Sequence, residues 1–155
     1  ASFTDAQLAQ HLAVNVQAPL ALMREFARQL PAHEQGCVVN IVDQKIAALN
    51  PDFYTYTVSK LALTEATRLA AMAYAPRVRV NAVAPGVALP SKHQNDANFE
   101  RSQSLSALGY GATPADIAQA VAYLVQARAV TGETIIVDGG QHLLPTARDV
   151  MFEAK

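Results

Sequence analysis

Tyr56 and Lys60 are two side chains whose types and spacing could together move a proton. They are four residues apart, so on a helix both would project from one face. An ammonium beside a phenol lowers the phenol pKa from about 10 toward neutrality, and a helix N-terminus acts in the same direction. A tyrosine tuned in this way can give a proton to a carbonyl or imine that receives a hydride. Because the spacing also occurs in ordinary surface pairs, the surroundings of the pair decide between the two interpretations.

The hydrophobic pattern predicts the elements that must position this pair. The predicted elements are a helix over 5–30, a strand over 37–42, a helix over 56–73, a strand over 78–84, a helix from Thr113 and Pro114, and a strand over 134–137. Such alternation is typical of an open α/β parallel sheet with right-handed crossovers. Ligands of these sheets bind at the carboxyl ends of the strands.

Two of these elements carry further expectations. The nearly continuous apolar run over 37–42 favours a strand that is buried on both faces of the sheet, with Cys37 as a buried structural thiol. The helix over 56–73 has an alanine-rich stripe that would let another helix approach closely. The members of this stripe are Val58, Ala62, Ala66, Leu69 and Ala73. A capping box at Thr4 and Gln7 is expected to begin the first helix.

Residues 87–112 are polar and predicted to be irregular. A connection of this length within a domain is usually functional, and closure over a substrate is one such function. The sequence Asp138-Gly139-Gly140 is interpreted as a turn.

Composition narrows the possible functions. The 155 residues are 51% hydrophobic and carry a formal net charge of -1, with twelve Lys and Arg that form no run. A nucleic-acid partner is therefore not expected. The sequence has no apolar stretch that approaches the roughly 20 residues needed to span a bilayer and no secretion signal, and we expect a soluble, cytoplasmic protein. The histidines His11, His33, His93 and His142 are dispersed, so no metal site is predicted.

Several segments together resemble the short-chain dehydrogenase/reductase family. Tyr56-Thr57-Val58-Ser59-Lys60 matches the family's Tyr-x-x-x-Lys signature. Three further segments are similar to family segments in the expected order: Asn15 to Pro19, Val78 to Gly86, and Thr131 through Gly140. The resemblance covers nearly the whole chain and implies a Rossmann-like doubly wound fold.

The resemblance also implies roles for individual residues. Tyr56 would be the general acid, and Lys60 would lower its pKa while binding the ribose hydroxyls of NADP(H) or NAD(H), with NADPH slightly favoured. Asn15 would hold a water that relays protons to Lys60. The backbone at Pro85, Gly86 and Val87 would meet the nicotinamide. Without the resemblance, Asn15 could be an ordinary polar helix residue and Pro85-Gly86 a simple turn.

Asp43 departs from the family pattern, which usually has a serine thirteen residues before the tyrosine. A carboxylate there would raise the pKa of Tyr56 against the effect of Lys60. An aspartate at this place is similar to the pteridine reductases of the family, in which it helps the tyrosine to protonate a heterocycle. Asp43 could instead only cap the following loop.

A second departure concerns the dinucleotide phosphates. The sequence has no glycine-rich turn of the kind that holds a pyrophosphate at a helix N-terminus. We therefore interpret residues 1–155 as the C-terminal catalytic and oligomerisation portion of a single domain, whose N-terminal cofactor-binding half is not in this chain.

Two functional hypotheses follow. The first is an NAD(P)H-dependent reductase of a carbonyl or C=N bond in a small molecule, perhaps a pterin. The second is a non-catalytic assembly module. Either predicts a homodimer or homotetramer through the helices 5–30 and 56–73, since this pair makes a four-helix contact between subunits in the relatives.

Overall fold

The computed structural model describes residues 3–92, 94–144 and 146–154. Its helices and strands follow the predicted order, with two additional short helices. Their bounds are α1 Asp5–Leu12, α2 Ala18–Gln29, β1 Gly36–Ile41, α3 Tyr54–Tyr74, β2 Val78–Pro85, α4 Asp96–Ser104, α5 Pro114–Gln126, β3 Thr134–Val137 and α6 Val150–Glu153.

The three strands form one parallel sheet in the order β1-β2-β3. The central strand β2 carries the core of the molecule, because Val80, Ala82, Val83 and Ala84 are fully buried. Helices pack on the sheet, with α3 against β2 and α5 against all three strands. The predicted α/β, Rossmann-like parallel architecture is confirmed.

Strand β1 lies at the edge of the sheet, and its residues are mostly half-buried. The prediction of a strand buried on both faces was therefore wrong for β1, because four of its six residues are half-buried and Ile41 is exposed, even though α2 and α5 contact the strand. Cys37 is likewise half-buried rather than buried, with its Sγ 3.8 Å from the carbonyl oxygen of Leu124. A groove of about 560 Å³ runs between α2 and β1, and we call it the edge groove. Residues Asn15, Met23, Asn40 and Lys60 are among those that line it.

The predicted first helix is continuous but contains a π-helical turn. Helix α1 begins with the expected capping box, in which Thr4 and Gln7 exchange hydrogen bonds. Residues Ala13–Gln17 then form a π turn that joins α1 to α2. Turns of this kind are rare in helices and are frequent at functional sites, and this one contains Asn15.

Helix α3 turns a partly polar face toward the sheet. Its buried residues are Thr55, Thr57, Ser59, Leu63, Thr67, Ala70 and Ala71. The alanine-rich stripe lies instead on half-buried and exposed positions, and Leu69 on it is 66% exposed.

Among the described residues, no helix combines the length and apolarity needed to cross a membrane.

The prediction that residues 87–112 are irregular was wrong, because they contain α4. This helix begins at Asn95, whose side chain accepts a hydrogen bond from the backbone N–H of Asn98. Its sequence has little apolar periodicity, so the capping residue was the one available signal. By contrast, α5 begins as predicted, with Thr113 as N-cap, Pro114 in the first turn and Asp116 completing a capping box.

Candidate active site

Asp43 and Tyr56 are in direct contact. Tyr56 lies in the first turn of α3, and its hydroxyl donates a hydrogen bond of 2.8 Å to Oδ2 of Asp43. Asp43 follows β1 by two residues and begins a 3₁₀ turn over Gln44–Ile46. The other carboxylate oxygen accepts the backbone N–H of Lys45 at 2.9 Å. Asp43 thus caps its loop, the alternative that the sequence left open, and also binds the tyrosine.

Lys60 lies beside the tyrosine ring. Its Nζ is 5.6 Å from the ring centroid of Tyr56 and donates a 2.9 Å hydrogen bond to the carbonyl oxygen of Ile41 at the end of β1. Lys60 also lines the edge groove. The ammonium is therefore held near the phenol ring by a strand carbonyl, and among the described residues it makes no hydrogen bond to the phenol oxygen.

Asn15 reaches the same turn of α3 from the π turn. Its Nδ2 donates to Oγ of Ser59 at 3.0 Å, and this hydroxyl donates to the carbonyl oxygen of Tyr56 at 2.7 Å. A chain of two hydrogen bonds therefore connects Asn15 to the backbone of the tyrosine, beside Lys60. The structure brings Asn15, Asp43, Tyr56 and Lys60 into one neighbourhood around the start of α3.

The pKa values of these groups depart from their ordinary ranges, mainly because of burial. Burial, followed by the Asp43 carboxylate and its hydrogen bond, raises the pKa of Tyr56 well above its usual value. Burial also raises the pKa of Asp43, against the lowering effect of its hydrogen bonds and of Lys45 and Lys60. The pKa of Lys60 is lowered by burial.

The expectation that Lys60 lowers the pKa of Tyr56 toward neutrality is therefore not met in this structure. Burial raises the pKa of Tyr56, and the Asp43 carboxylate raises it further, as predicted. The phenol is held in its protonated form, which is the form that a proton donor needs.

The end of β2 forms a wall of the same site. The N–H of Gly86 donates to the carbonyl oxygen of Val137 on β3 at 2.9 Å. A Cβ atom at Gly86 would lie 2.6 Å from Cβ of Asp138, so only glycine allows this close approach. Pro85, Gly86 and Val87 line a cavity of about 350 Å³ together with Asp43.

Two cavities meet at Asp43. We call the 350 Å³ space that includes the end of β2 the outer cavity, and a second space of about 320 Å³ the inner cavity. The inner cavity is lined by His11, Asp43, Lys45, Phe53, Tyr56 and Asp149. The site therefore has a polar centre at Asp43 and Tyr56 with space on two sides for a small molecule.

Sequence reasoning missed four of the residues that line the inner cavity. His11 faces Tyr56 edge to face at 5.9 Å, and its Nδ1 is 2.8 Å from Oγ1 of Thr55. Lys45 and Asp149 form a buried ion pair of 2.6 Å between their Nζ and Oδ2 atoms. Phe53 has left-handed backbone angles. The helical spacing from His11 to Asn15, one turn apart, was the available signal for His11.

Other polar groups have structural partners. Asp138 is buried and accepts hydrogen bonds from the backbone N–H groups of Gly140 and His142, which supports its interpretation as a turn residue. The described residues contain no cluster of three His, Cys, Asp or Glu side chains that could hold a metal ion. His93 lies outside the described residues.

The residues present fit one end of a nicotinamide dinucleotide. Among the described residues the Lys60 ammonium has one hydrogen-bond acceptor, while an ammonium carries three N–H groups. Two N–H groups could therefore meet ribose hydroxyls beside the end of β1. The sequence has no glycine-rich phosphate turn, so these 155 residues do not fit the pyrophosphate.

Comparison with known proteins agrees with this geometry. A family model described as enoyl-(acyl carrier protein) reductase matches residues 1–142. The chain is 38% identical over 134 residues to a granaticin polyketide synthase putative ketoacyl reductase of Streptomyces violaceoruber, covering 83% of this chain and 51% of the relative. It is 32% identical over 146 residues to a dihydromonapterin reductase of Escherichia coli, covering 92% and 60%.

A solved structure is also similar. The FolM alternative dihydrofolate reductase 1 of Brucella canis, complexed with NADP, superimposes with a TM-score of 0.91 at 42% identity, covering 96% of this chain and 60% of that one. The chain thus spans about half to three fifths of the length of these similar proteins.

Proposed function

The chain belongs to the short-chain dehydrogenase/reductase family, and on that premise we propose that it supplies the proton-donating part of an NADPH-dependent reductase that acts on a C=N bond of a pterin-like ring. One observation carries this proposal. The Tyr56 hydroxyl is hydrogen-bonded to a carboxyl group whose pKa is raised. A ring nitrogen can exchange a proton with such a pair, whereas a simple ketone gives the carboxyl no basic partner.

The proposed chemistry divides between the cofactor and the chain. When bound, the nicotinamide supplies a hydride to the carbon of the C=N bond. Tyr56 donates a proton to the nitrogen, so that the bond becomes CH–NH. Asp43 then takes up a proton from water and passes it to the Tyr56 phenolate along their 2.8 Å hydrogen bond. A raised pKa suits Asp43 to this task, because it increases the fraction of carboxyl that carries a proton near neutral pH.

Lys60 and Asn15 have supporting roles in this proposal. Lys60 would bind the ribose of the cofactor with the N–H groups that Ile41 does not use. Asn15 would hold a relay water next to Lys60, from its position on the π turn. Pro85, Gly86 and Val87 would meet the nicotinamide at the end of β2. NADPH is favoured over NADH because the similar FolM structure was solved with NADP.

The test is a substrate comparison with protein expressed from the complete reading frame that carries these residues. NADPH oxidation is followed with a dihydropterin and with a β-ketoacyl thioester of the kind a ketoacyl reductase uses. We expect kcat/KM for the dihydropterin to be at least about 100-fold higher, an energy difference of roughly 2.7 kcal/mol. A preference for the ketone would contradict the pterin assignment and would favour the ketoacyl reductase that is also similar to this chain.

The position of the cofactor-binding half can be tested separately. We propose that the pyrophosphate is bound by residues outside this chain, since the sequence contains no glycine-rich turn. Titration of the 155-residue chain with NADPH, followed by nicotinamide fluorescence, is then expected to show weak binding or none. Tight binding would show that this chain holds the dinucleotide by itself.

We also propose assembly into a homodimer or homotetramer through α1, α2 and α3. Leu69 and Met72 on α3 are 66% and 77% exposed, and Leu22 on α2 is 70% exposed. Exposed large apolar side chains on neighbouring helices are typical of an interface. Sedimentation of the wild-type protein and of the Met72→Glu variant tests this. We expect the variant to dissociate, and a monomeric wild type would contradict the proposal.

A further inference from the structure

The C-terminal segment enters the active site through an ion pair that the proposed chemistry has not used. Residues 146–154 cross the loop that joins β1 to α3, and α6 belongs to this segment. Asp149 Oδ2 lies 2.6 Å from the Nζ of Lys45, and their side chains are only 15% and 6% exposed. Lys45 is two residues from Asp43 and lines the same two cavities.

Several contacts hold this segment in place. Oδ2 of Asp52 accepts hydrogen bonds of 2.8 Å from Nε of Arg148 and from the backbone N–H of Asp149. The ring of Phe152 stacks on that of Phe53, with centroids 5.8 Å apart. The left-handed backbone of Phe53, uncommon for a bulky residue, sits in the middle of these contacts. The segment is thus joined to the loop by charge, hydrogen bonding and stacking.

Lys45 is the cation two residues from Asp43 in the same loop. Its contacts hold the ammonium in one position. Its Nζ is bound by Asp149 and by Oδ1 of Asn50 at 3.1 Å, and lies 5.4 Å from the centroid of Phe53. Its backbone N–H, however, is bonded to the Asp43 carboxylate. Removal of Asp149 would leave the buried Lys45 ammonium without its anion. The charge of this ammonium already lowers the pKa of Asp43.

We propose that Asp149 is a positioning residue for the Asp43–Tyr56 pair: by holding the Lys45 ammonium in a buried ion pair, the C-terminal segment keeps that cation from pairing with the Asp43 carboxyl. This inference rests on the proposed function, because it assigns the segment a role in the same proton transfer. The charges of Lys45 and Asp149 cancel within the pair, which leaves Asp43 free to exchange its proton with Tyr56.

Other charged groups around Asp43 do not replace this pair. Tyr56 and Lys60 face Asp43 from α3, and the described part of α1 contributes His11 to the same cavity. The Lys60 ammonium is held by the Ile41 carbonyl, 5.6 Å from the centroid of the Tyr56 ring. Asp149 is the anion of the C-terminal segment that lines the inner cavity. A single substitution in the Lys45–Asp149 pair can therefore leave either a positive or a negative charge near Asp43.

Substitutions of Asp149 and of Lys45 are expected to shift the pKa of Asp43 in opposite directions. A pair with only a structural role would not produce opposite shifts. In Asp149→Asn the unpaired ammonium should lower the Asp43 pKa by about one unit, and in Lys45→Met the unpaired Asp149 carboxylate should raise it by a similar amount. The double variant Lys45→Met/Asp149→Asn should return it close to the wild-type value. Glu153→Gln, which removes an exposed carboxylate from α6, is the matched control and should leave it unchanged.

The readout does not depend on turnover. Carboxyl ¹³C NMR titration of aspartate-labelled protein gives the Asp43 midpoint, which Asp43→Asn assigns. Shifts of opposite sign in the two single variants support the inference, while equal or absent shifts overturn it. The pH profile of kcat is then measured with NADPH and a dihydropterin. A wild type without turnover but with opposite NMR shifts would contradict the proposed function alone, and turnover without those shifts would contradict the inference alone.

Discussion

The two sides of Tyr56 are built differently. On one side, the Asp43 carboxyl is hydrogen-bonded to its own 3₁₀ turn and to Tyr56 of α3, and it lines a cavity together with residues of α1 and of the C-terminal segment. On the other side, Lys60 is held by a carbonyl at the edge strand β1 and lines an open groove. Several elements therefore surround Asp43, whereas Lys60 opens onto the edge groove beside β1.

The difference indicates that one sheet positions two groups with different proposed tasks. The Asp43–Tyr56 pair would exchange protons, and the Lys60 ammonium would bind the cofactor. The buried strand β2 and its neighbour β3 end beside the enclosed side, where close packing at Gly86 and Asp138 fixes the wall. Strand β1 ends between the two sides, since the Ile41 carbonyl at its end holds Lys60 and Asp43 follows two residues later. Substitution of Asp43 should consequently affect proton transfer and its pH dependence, whereas substitution of Lys60 should mainly affect cofactor binding.

The largest effect is expected for Tyr56→Phe, which removes the hydroxyl shared by the two sides. General acid catalysis is worth about 100- to 10,000-fold, and kcat with NADPH should fall within that range while the Kd for NADPH changes little. Tyr54→Phe is the matched control, since Tyr54 is two residues earlier on α3 and nearly half exposed. Near-normal turnover by the Tyr56 variant would remove the basis of the proposed mechanism.

The next effect is expected for Lys60→Ala, which alters only the open side. The ribose would lose its ammonium contact, worth about 1.5–3 kcal/mol for a hydrogen bond to a charged group, so the Kd for NADPH should rise roughly 10- to 100-fold. The ammonium also lowers the pKa of Asp43, so its loss should move the alkaline side of the pH profile to higher pH. Arg68→Ala on the exposed face of α3 serves as the control. A change in the pH profile without a change in the Kd would reverse the assignment of the two sides.

A smaller effect is expected for Asp43→Asn on the enclosed side. It concerns the pH dependence of stability and not the Kd for NADPH. The raised pKa of Asp43 means that the folded protein binds this proton more tightly than the unfolded chain does. The free energy of unfolding of the wild type should therefore decrease as the pH rises through the folded pKa of Asp43, and this cost is absent below the unfolded value. In the variant that part of the pH dependence should vanish, with little change in the Kd for NADPH. Urea unfolding at several pH values measures it, and identical pH dependence in the two proteins would contradict the assigned pKa direction.

Local sequence rules predicted much of this arrangement. Strand β3, the Thr113 cap and the Thr4 capping box follow from residues that lie close together in the chain. The thirteen-residue interval from Asp43 to Tyr56 was read from a family resemblance, and the structure places the two side chains in contact. These features depend on short-range patterns, which a single sequence displays directly.

The missed features depend on partners that are distant in the chain. The buried face of α3 contains Thr67, whose hydroxyl donates to the Leu63 carbonyl and accepts from Nδ2 of Asn40, so a polar residue is satisfied inside the core. The pairing of Lys45 with Asp149 joins residues more than 100 positions apart. The local sequence therefore gave no signal of the buried polar face of α3 or of the role of the C-terminal segment.

The smallest effect should come from Asn15→Ala, which tests whether the connection between the two sides is catalytic or structural. Asn15 reaches Tyr56 only through Ser59, and loss of one part-buried hydrogen bond costs about 1 kcal/mol in the free energy of unfolding. If Asn15 also holds the relay water, kcat should fall about tenfold, whereas Gln17→Ala, in the exposed part of the same π turn, should change neither quantity. Stopped-flow single-turnover rates separate the two outcomes, because a purely structural Asn15 would lower the unfolding free energy and leave the rate of proton-coupled reduction unchanged. In that case the enclosed side, with Asp43 and its charge-balanced neighbours, would supply the proton without help from the π turn.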